Sequence, residues 1–573
     1  MYKHRRPQCD GLICACIVAA GVLLTYPVAE MGFQDDWSYI RTALEFARTG
    51  HFIFNGWATA MLGWMIPWGA LFLKIFGFSF TAARLSMLPL AMATVYFFHA
   101  TLVRFGVGPR NSVFGTLTLG FSPVFFPMAA SYMSDIPGLL VIVLCLYLCL
   151  RAVQAEAPRS TAFWLCGAAA TGAAGGTARQ TAWLGVLVMV PSTVWLIRAR
   201  RGILRTGILL WGGGTLVIAA FLYWWSLQPY SVPEKIYRRT INPFWIHHTT
   251  GMLIKAFLCF LFLLAPVLVG WLGQVRNIGR RGLFRSAVLA SAFALFLIFS
   301  GIGDFWSMPW IPHLINSVLY GRSEFPIFGI HPLPLGLRIV LSLLVVVFAL
   351  VFVEYALAVR IRQPEQTSEE IHPTWQQIWW LLGPFFLAYL ALLLPRARSE
   401  FLYDRYLLGI MPVAIIVLLR MHQQWVAPHV PVVSFAVMLT FAIVSICGTH
   451  DWFALNRARL SAIRSLNTSG VPHTSIQAGF EYDGWTQIEA AGYVNEKRMI
   501  LPPGAYHEVL PQLQFAKECR SFFSIYATAI QPKYFVVSSP MPCFVPSVYP
   551  SVSYRAWLPP FHRTVYVQQL REP

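Results

Sequence analysis

Apolar residues come in long runs along this chain, near 11–28, 82–103, 111–130, 136–152, 161–177, 181–197, 206–226, 251–273, 286–303, 335–358, 377–395, 406–421 and 430–447. Each run approaches the roughly 20 residues that a helix needs to cross a hydrocarbon core, so the pattern predicts about thirteen transmembrane helices. Residues 29–81 form a first outer loop that is itself structured. Asp35 to Thr49 reads as a short amphipathic helix. The apolar stretch Trp57 to Phe76 carries Trp64, Pro67, Trp68 and Lys74. It reads as a helix lying in the outer interface, where Trp rings and a snorkelling Lys are comfortable. A crossing there would reverse every later loop. Beyond residue 449 the chain turns more polar and is long enough for a small α/β domain.

Basic residues orient this pattern. Arg198, Arg200, Arg201 and Arg205 follow the sixth run, and Arg276, Arg280, Arg281 and Arg285 follow the eighth. The positive-inside rule makes both loops cytoplasmic, in agreement with Lys3-His4-Arg5-Arg6 at the start. That start resembles a signal peptide, but no small-residue cleavage site follows, so the first run is read as a retained span. The 573 residues are 57% hydrophobic and 12% charged, with a mean hydropathy of +0.58, which places the chain among multi-span membrane proteins. The net charge of +19 then belongs to cytoplasmic loops facing anionic lipid, and a nucleic-acid partner is not expected.

The same orientation gathers polar features on the non-cytoplasmic side: Asp35 and Asp36, Asp135, Arg179, the loop 227–250, the stretch Arg396 to Arg405, and residues 449–573. The loop 304–334, with Trp306, Trp310, Pro312, His313 and His331, faces the same way and suits a mobile lid or a sugar-stacking surface. On the opposite side, Gln363 to Glu370 is a polar linker. Eight of the ten cysteines lie in or beside apolar runs and read as small apolar residues. Cys519 and Cys543 fall in the exported tail, where an oxidising compartment permits a disulfide.

Carboxylates beside hydrocarbon are costly to desolvate and should face water, a cation or a cationic partner. Asp35 and Asp36, in Phe33-Gln34-Asp35-Asp36-Trp37-Ser38-Tyr39, have one plain alternative, capping the helix that follows. Asp135, in Tyr132-Met133-Ser134-Asp135-Ile136-Pro137-Gly138, has the same alternative. Converging on one face, the three supply one or two acids for a divalent cation and one for general-base work. Among the cations, Arg179 sits in a turn too tight for a solvated loop, where its fork suits phosphate; snorkelling to headgroups is the bland reading. Arg405 enters the twelfth run beside Asp404, its plainest partner, and Arg84 is a weaker candidate. The histidines lack zinc-ligand spacing. With no P-loop or Rossmann fingerprint, the donor is not expected to be a nucleotide. A transporter or flippase is the competing class, but its ionisable groups belong near the midplane. Glu354 is the one such residue, and Arg360 or Arg362 is its expected partner.

The order of these features resembles a known family. Gln34-Asp35-Asp36-Trp37-Ser38-Tyr39 follows the first span, then Leu73-Lys74-Ile75-Phe76-Gly77, Arg84-Leu85, Asp135, Ala178-Arg179-Gln180 and Tyr403-Asp404-Arg405-Tyr406-Leu407-Leu408. Over roughly residues 1–450 this is similar to the bacterial GT-C glycosyltransferases related to protein O-mannosyltransferases and to the aminoarabinose transferase of lipid A. Orientation and polarity give the exported C-terminal domain over 449–573; the resemblance implies an α-helical polytopic catalytic domain of GT-C fold over 1–448. It implies an inverting transferase in a bacterial inner membrane, facing the periplasm. The sugar would pass from a polyprenyl-phosphate donor to a lipid, glycan or protein acceptor. Asp35 would be the catalytic carboxylate, with Asp36 and Asp135 supporting it or sharing Mg or Mn. Arg179 and Arg405, with Arg84 behind them, would hold the lipid phosphate. Two departures stand out: many members carry Asp-Glu where this chain has Asp35-Asp36, and many carry Lys-Pro where it reads Gly63-Trp64-Met65-Ile66-Pro67. If the exported loops and tail select the acceptor, exchanging residues 449–573 should change acceptor choice and leave donor choice intact.

Overall fold

The computed structural model describes residues 7–234, 242–299, 335–360, 372–399, 402–508 and 521–570. The described residues of all thirteen apolar runs fall mainly on helical segments. Among the described residues, eight helices are long and apolar enough to cross a membrane: Phe80–Arg104, Asp135–Gln154, Ile203–Ser226, Pro243–Leu263, Ile339–Leu357, Trp375–Arg398, Asp404–Trp425 and Val432–Thr468. Cys9–Leu24, Met65–Phe76 and Gln180–Leu196 are apolar but shorter.

The departures from continuous helix have local causes. The third run divides into Pro109–Gly120 and Phe125–Ala129, because Pro123 lies between them and has no N–H to continue the ladder. The sixth begins as a 3-10 turn, Gln180–Trp183, widens to a π turn, Gly185–Met189, and becomes α-helical only at Val190–Leu196. Pro191 has no N–H to return to Leu187, which favours the wider turn there. α1 (Pro7–Leu24) leads into the loop 29–81, which carries α2 (Asp36–Thr49) and α3 (Met65–Phe76). With about 18 Å of rise, α3 is too short to cross. It buries Met65, Ile66, Gly69, Ala70 and Leu73 and exposes Leu71, Ile75 and Phe76, which supports the interfacial reading.

The polar tail folds as a small α/β unit. Its sheet runs β1 (Ile476–Gln477), β2 (Tyr534–Val537), β5 (His562–Leu570), β3 (Phe544–Pro546), and β4 (Val552–Arg555) pairs with the other end of β5. β1 and β2 are parallel and the remaining pairings antiparallel. Val536, Val565 and Val567 pack with Leu455, Ala458, Ala462 and Leu466. Those four belong to the helix Val432–Thr468, which passes without a break through the domain boundary expected at 448/449. Phe33 stacks on Trp452 at 4.0 Å, and Asn456 donates to the Gly32 carbonyl at 3.1 Å, so the loop 29–81 and the tail share one core.

Other expectations fall on segments that are only partly described. Glu354 pairs with Arg285, from the basic loop after the eighth run; of its expected partners, Arg362 lies outside the described residues. Cys543 is disulfide-bonded, while Cys519, its expected partner, lies outside the described residues. The anticipated lid 304–334 and the linker 363–370 also lie outside them.

Candidate active site

Gln34 adopts φ +60°, a left-handed conformation uncommon for a residue with a side chain. The turn it makes sends the next two carboxylates in opposite directions. Asp36 points inward and is fully buried. Its Oδ1 accepts from the Phe33 N–H at 2.6 Å, and its Oδ2 accepts from Arg84 Nε at 2.9 Å and from the Tyr132 N–H at 3.4 Å. Arg84, itself 1% exposed, donates onward to the carbonyls of Ala29 and Met31. Burial pushes the Asp36 carboxyl up, against the opposing pull of Arg84 and the two N–H groups. The pair ties the end of the first span to α4 (Phe80–Leu85) and to the Tyr132 turn.

Asp35 points outward and makes no capping bond. It keeps 17% of its side chain exposed, where Asp36 and Asp135 keep 0% and 1%. Trp57 Nε1 donates to Oδ1 at 2.9 Å and Arg405 Nη2 to Oδ2 at 3.0 Å. Arg405 is thus committed to an acid 370 residues away, while neighbouring Asp404 accepts its backbone N–H at 2.7 Å. Nε and Nη1 of Arg405 are buried and have no hydrogen-bond partner among the described residues. A guanidinium with two such donors calls for an anion.

Asp135 opens the helix Asp135–Gln154 and meets Arg179 Nη2 at 3.0 Å, with Arg179 Nη1 donating to Ser134 Oγ at 3.1 Å. Arg179 reaches across that helix at Gly138, where an added Cβ would sit 2.8 Å from Arg179 Cδ. Arg179, Arg396 and Arg405 then converge on one ring, with guanidinium carbons 5.7, 5.6 and 5.9 Å from the Tyr406 centroid. Arg396 donates to the Tyr406 hydroxyl at 3.2 Å and pairs with Glu234. Tyr39 faces the same group; its burial, then the charge of Asp35, keep its phenol protonated.

The structure therefore brings together Asp35, Asp135, Arg179 and Arg405 and sets Asp36 and Arg84 behind them. Two expectations change. Arg84 has no path to a lipid phosphate, because Asp36 and two carbonyls enclose it. Asp36 does not fit a Mg or Mn shared with Asp135, since Arg84 and two backbone N–H groups take both of its oxygens; Asp135 is paired with Arg179 at 3.0 Å, yet neither of its buried oxygens has a hydrogen-bond partner among the described residues. Sequence reasoning missed Trp57, Tyr406 and Glu234 as site residues and singled out Arg396 only as the start of a stretch. Tyr406 had a signal, lying beside Arg405 in the quoted motif. Glu234, in a long loop, had none.

Residues 59–225 match the family described as dolichyl-phosphate-mannose-protein mannosyltransferase. No curated protein matches the chain. Among solved structures it is similar to ArnT from Cupriavidus metallidurans bound to undecaprenyl phosphate, at 13% identity over 97% of both chains and a TM-score of 0.40. It is similar to the S. cerevisiae protein O-mannosyltransferase complex bound to the sugar donor, at 12% identity, over 39% of this chain and 34% of that one, with a TM-score of 0.32. It is also similar to the oligosaccharyltransferase AglB from Archaeoglobus fulgidus, at 15% identity over 91% and 64% and a TM-score of 0.35. The segment that carries Arg84, Asp135 and Arg179 is the one that resembles this family, and the eight long apolar helices make the chain a multi-pass membrane protein.

Proposed function

We propose that this protein moves a hexose or pentose from a polyprenyl-phosphate carrier to a hydroxyl of a lipid, glycan or protein acceptor, with inversion. We place the reaction at the outer face of a bacterial inner membrane, toward the periplasm, on the strength of the basic loops around Arg198 and Arg280. One observation carries the chemistry. Asp35, the most exposed of the three acids, shares Arg405 with a site that leaves two buried guanidinium donors unmatched among the described residues.

In this reading the work is divided among the clustered side chains. Asp35 takes the proton from the acceptor oxygen as that oxygen attacks the anomeric carbon. The bond from the anomeric carbon to the phosphate oxygen breaks, and its electron pair leaves with the lipid phosphate. Arg405 Nε and Nη1 receive that developing charge, with Arg179 and Arg396 beside them around Tyr406. Arg405 thus touches both the base and the leaving group. Asp135 holds Arg179 in place and Asp36 holds the Asp35 turn. The long apolar helices supply the groove for the carrier.

The test is sugar transfer from synthetic polyprenyl-phosphate hexoses and pentoses by the purified protein. Asp35→Asn should lower kcat by about two to four orders of magnitude, the size expected of a general base, in a protein that still binds polyprenyl phosphate. Wild-type turnover in Asp35→Asn would remove Asp35 from the role.

A further inference from the structure

We propose that Trp57 is a positioning residue for Asp35, and that the C-terminal α/β unit belongs to the active site because its aromatic rings hold Trp57. The inference rests on Asp35 being the base. Three observations build it.

The first is the hydrogen bond itself. Each oxygen of Asp35 has one fixed donor, Trp57 Nε1 on Oδ1 and Arg405 Nη2 on Oδ2. Arg405 also faces the developing phosphate charge, so only the indole is dedicated to orienting the carboxylate. An indole N–H donates and never accepts, so it leaves the outward lone pairs of the carboxylate for the acceptor proton.

The second is the ring's enclosure. Trp57 lies 5.4 Å from Phe480, 5.2 Å from Phe523, 5.3 Å from Tyr526 and 5.7 Å from Trp37, in tilted and edge-on contacts. Three of those four rings come from the tail, from the helix Phe480–Ala491 and the turn around Phe522–Ile525. Phe523 is fully buried by this arrangement. Edge-on contacts of this kind fix ring orientation as well as burying area.

The third is the backbone that carries Trp57. The Asn55 carbonyl accepts from the Val494 N–H of the tail at 2.8 Å, and the Gly56 N–H donates to the Tyr230 carbonyl at 2.9 Å. The Asn55 amide group ties the same segment to α2, donating to the Ser38 carbonyl at 2.8 Å and accepting from Ser38 Oγ at 2.7 Å. The segment bearing Trp57 is therefore clamped between the helix that begins at Asp36 and the exported unit.

Trp57→Phe keeps the ring and removes the donor; Phe523→Leu keeps an apolar side chain and loosens the cage. Both are compared with wild type and Asp35→Asn for transfer from a polyprenyl-phosphate sugar that the wild type turns over. The affinity for sugar-free polyprenyl phosphate reports the arginine cluster separately. Trp57→Phe should lower kcat about ten- to thirty-fold, the loss expected for one hydrogen bond to a charged group. Donor KM and polyprenyl-phosphate affinity should stay within about two-fold, and Phe523→Leu should follow with a smaller fall. Unchanged kcat in Trp57→Phe, or a parallel loss of kcat and lipid-phosphate affinity in both variants, would overturn the proposal. Wild-type turnover in Asp35→Asn would instead sink the assignment of the base.

Discussion

Two adjacent aspartates in one dipeptide carry different loads, and the difference is burial. Asp36 with Arg84 is a buried ion pair whose every oxygen and nitrogen is matched by a neighbour. Removing one partner strands a charge away from water. Arg84→Ala should therefore cost about 3–5 kcal/mol of stability, whereas the double replacement Asp36→Leu with Arg84→Met should recover most of it. Thermal or denaturant melts of the purified protein decide the matter. A single variant as stable as wild type would make Arg84 available for another role. At this scale the sequence was legible in residue type and silent on partners. It marked Asp35, Asp135, Arg179 and Arg405, since an ionisable group beside hydrocarbon is costly and therefore informative. It could not say that Arg405 serves Asp35, because the contact spans 370 residues and depends on how the bundle closes.

Helices were the legible elements and their interruptions were not. A run of about 20 apolar residues is a strong signal because lipid leaves the backbone no other partner. The π turn Gly185–Met189 and the short α3 depend on prolines and on packing that hydropathy does not register. One glycine shows how an element positions the site. Gly138 lies in the first turns of the helix Asp135–Gln154, and Arg179 crosses directly over it. Helix propensity alone would have Ala stabilise this position by about 1 kcal/mol. The close approach argues the other way, since a methyl group would force Arg179 off its line to Asp135 and Tyr406. Gly138→Ala should weaken polyprenyl-phosphate binding about ten-fold, one misplaced charge-assisted contact, with the protein still folded. Tighter binding in that variant would show that Arg179 does not touch the lipid phosphate.

At the scale of the whole molecule, the tail is not a detachable module. The helix Val432–Thr468 runs from the bundle into the α/β unit, Phe33 stacks on Trp452, and Trp37 lies where a Cβ on Gly484 would stand 2.6 Å from its ring. The expectation that a new tail changes only acceptor choice gives way to one in which it also disturbs the Asp35 turn. The polar interior of the tail offers a titration to test this. Asp483 accepts from the Ala478 N–H at 2.9 Å, and burial pushes its carboxyl up to about 7 in spite of that bond and of Arg459. An unfolded aspartate titrates near 4. The folded tail therefore binds the proton more tightly, and the stability this contributes is full below about pH 4 and is lost as pH rises toward about 7. Melts between those limits should show the wild type losing stability with rising pH and Asp483→Asn following a flatter line. If Trp57 is caged by this unit, tryptophan fluorescence should report loosening of the cage along the same slope. A slope that survives in Asp483→Asn would assign the pH response to another group and leave Asp483 ionised in the fold.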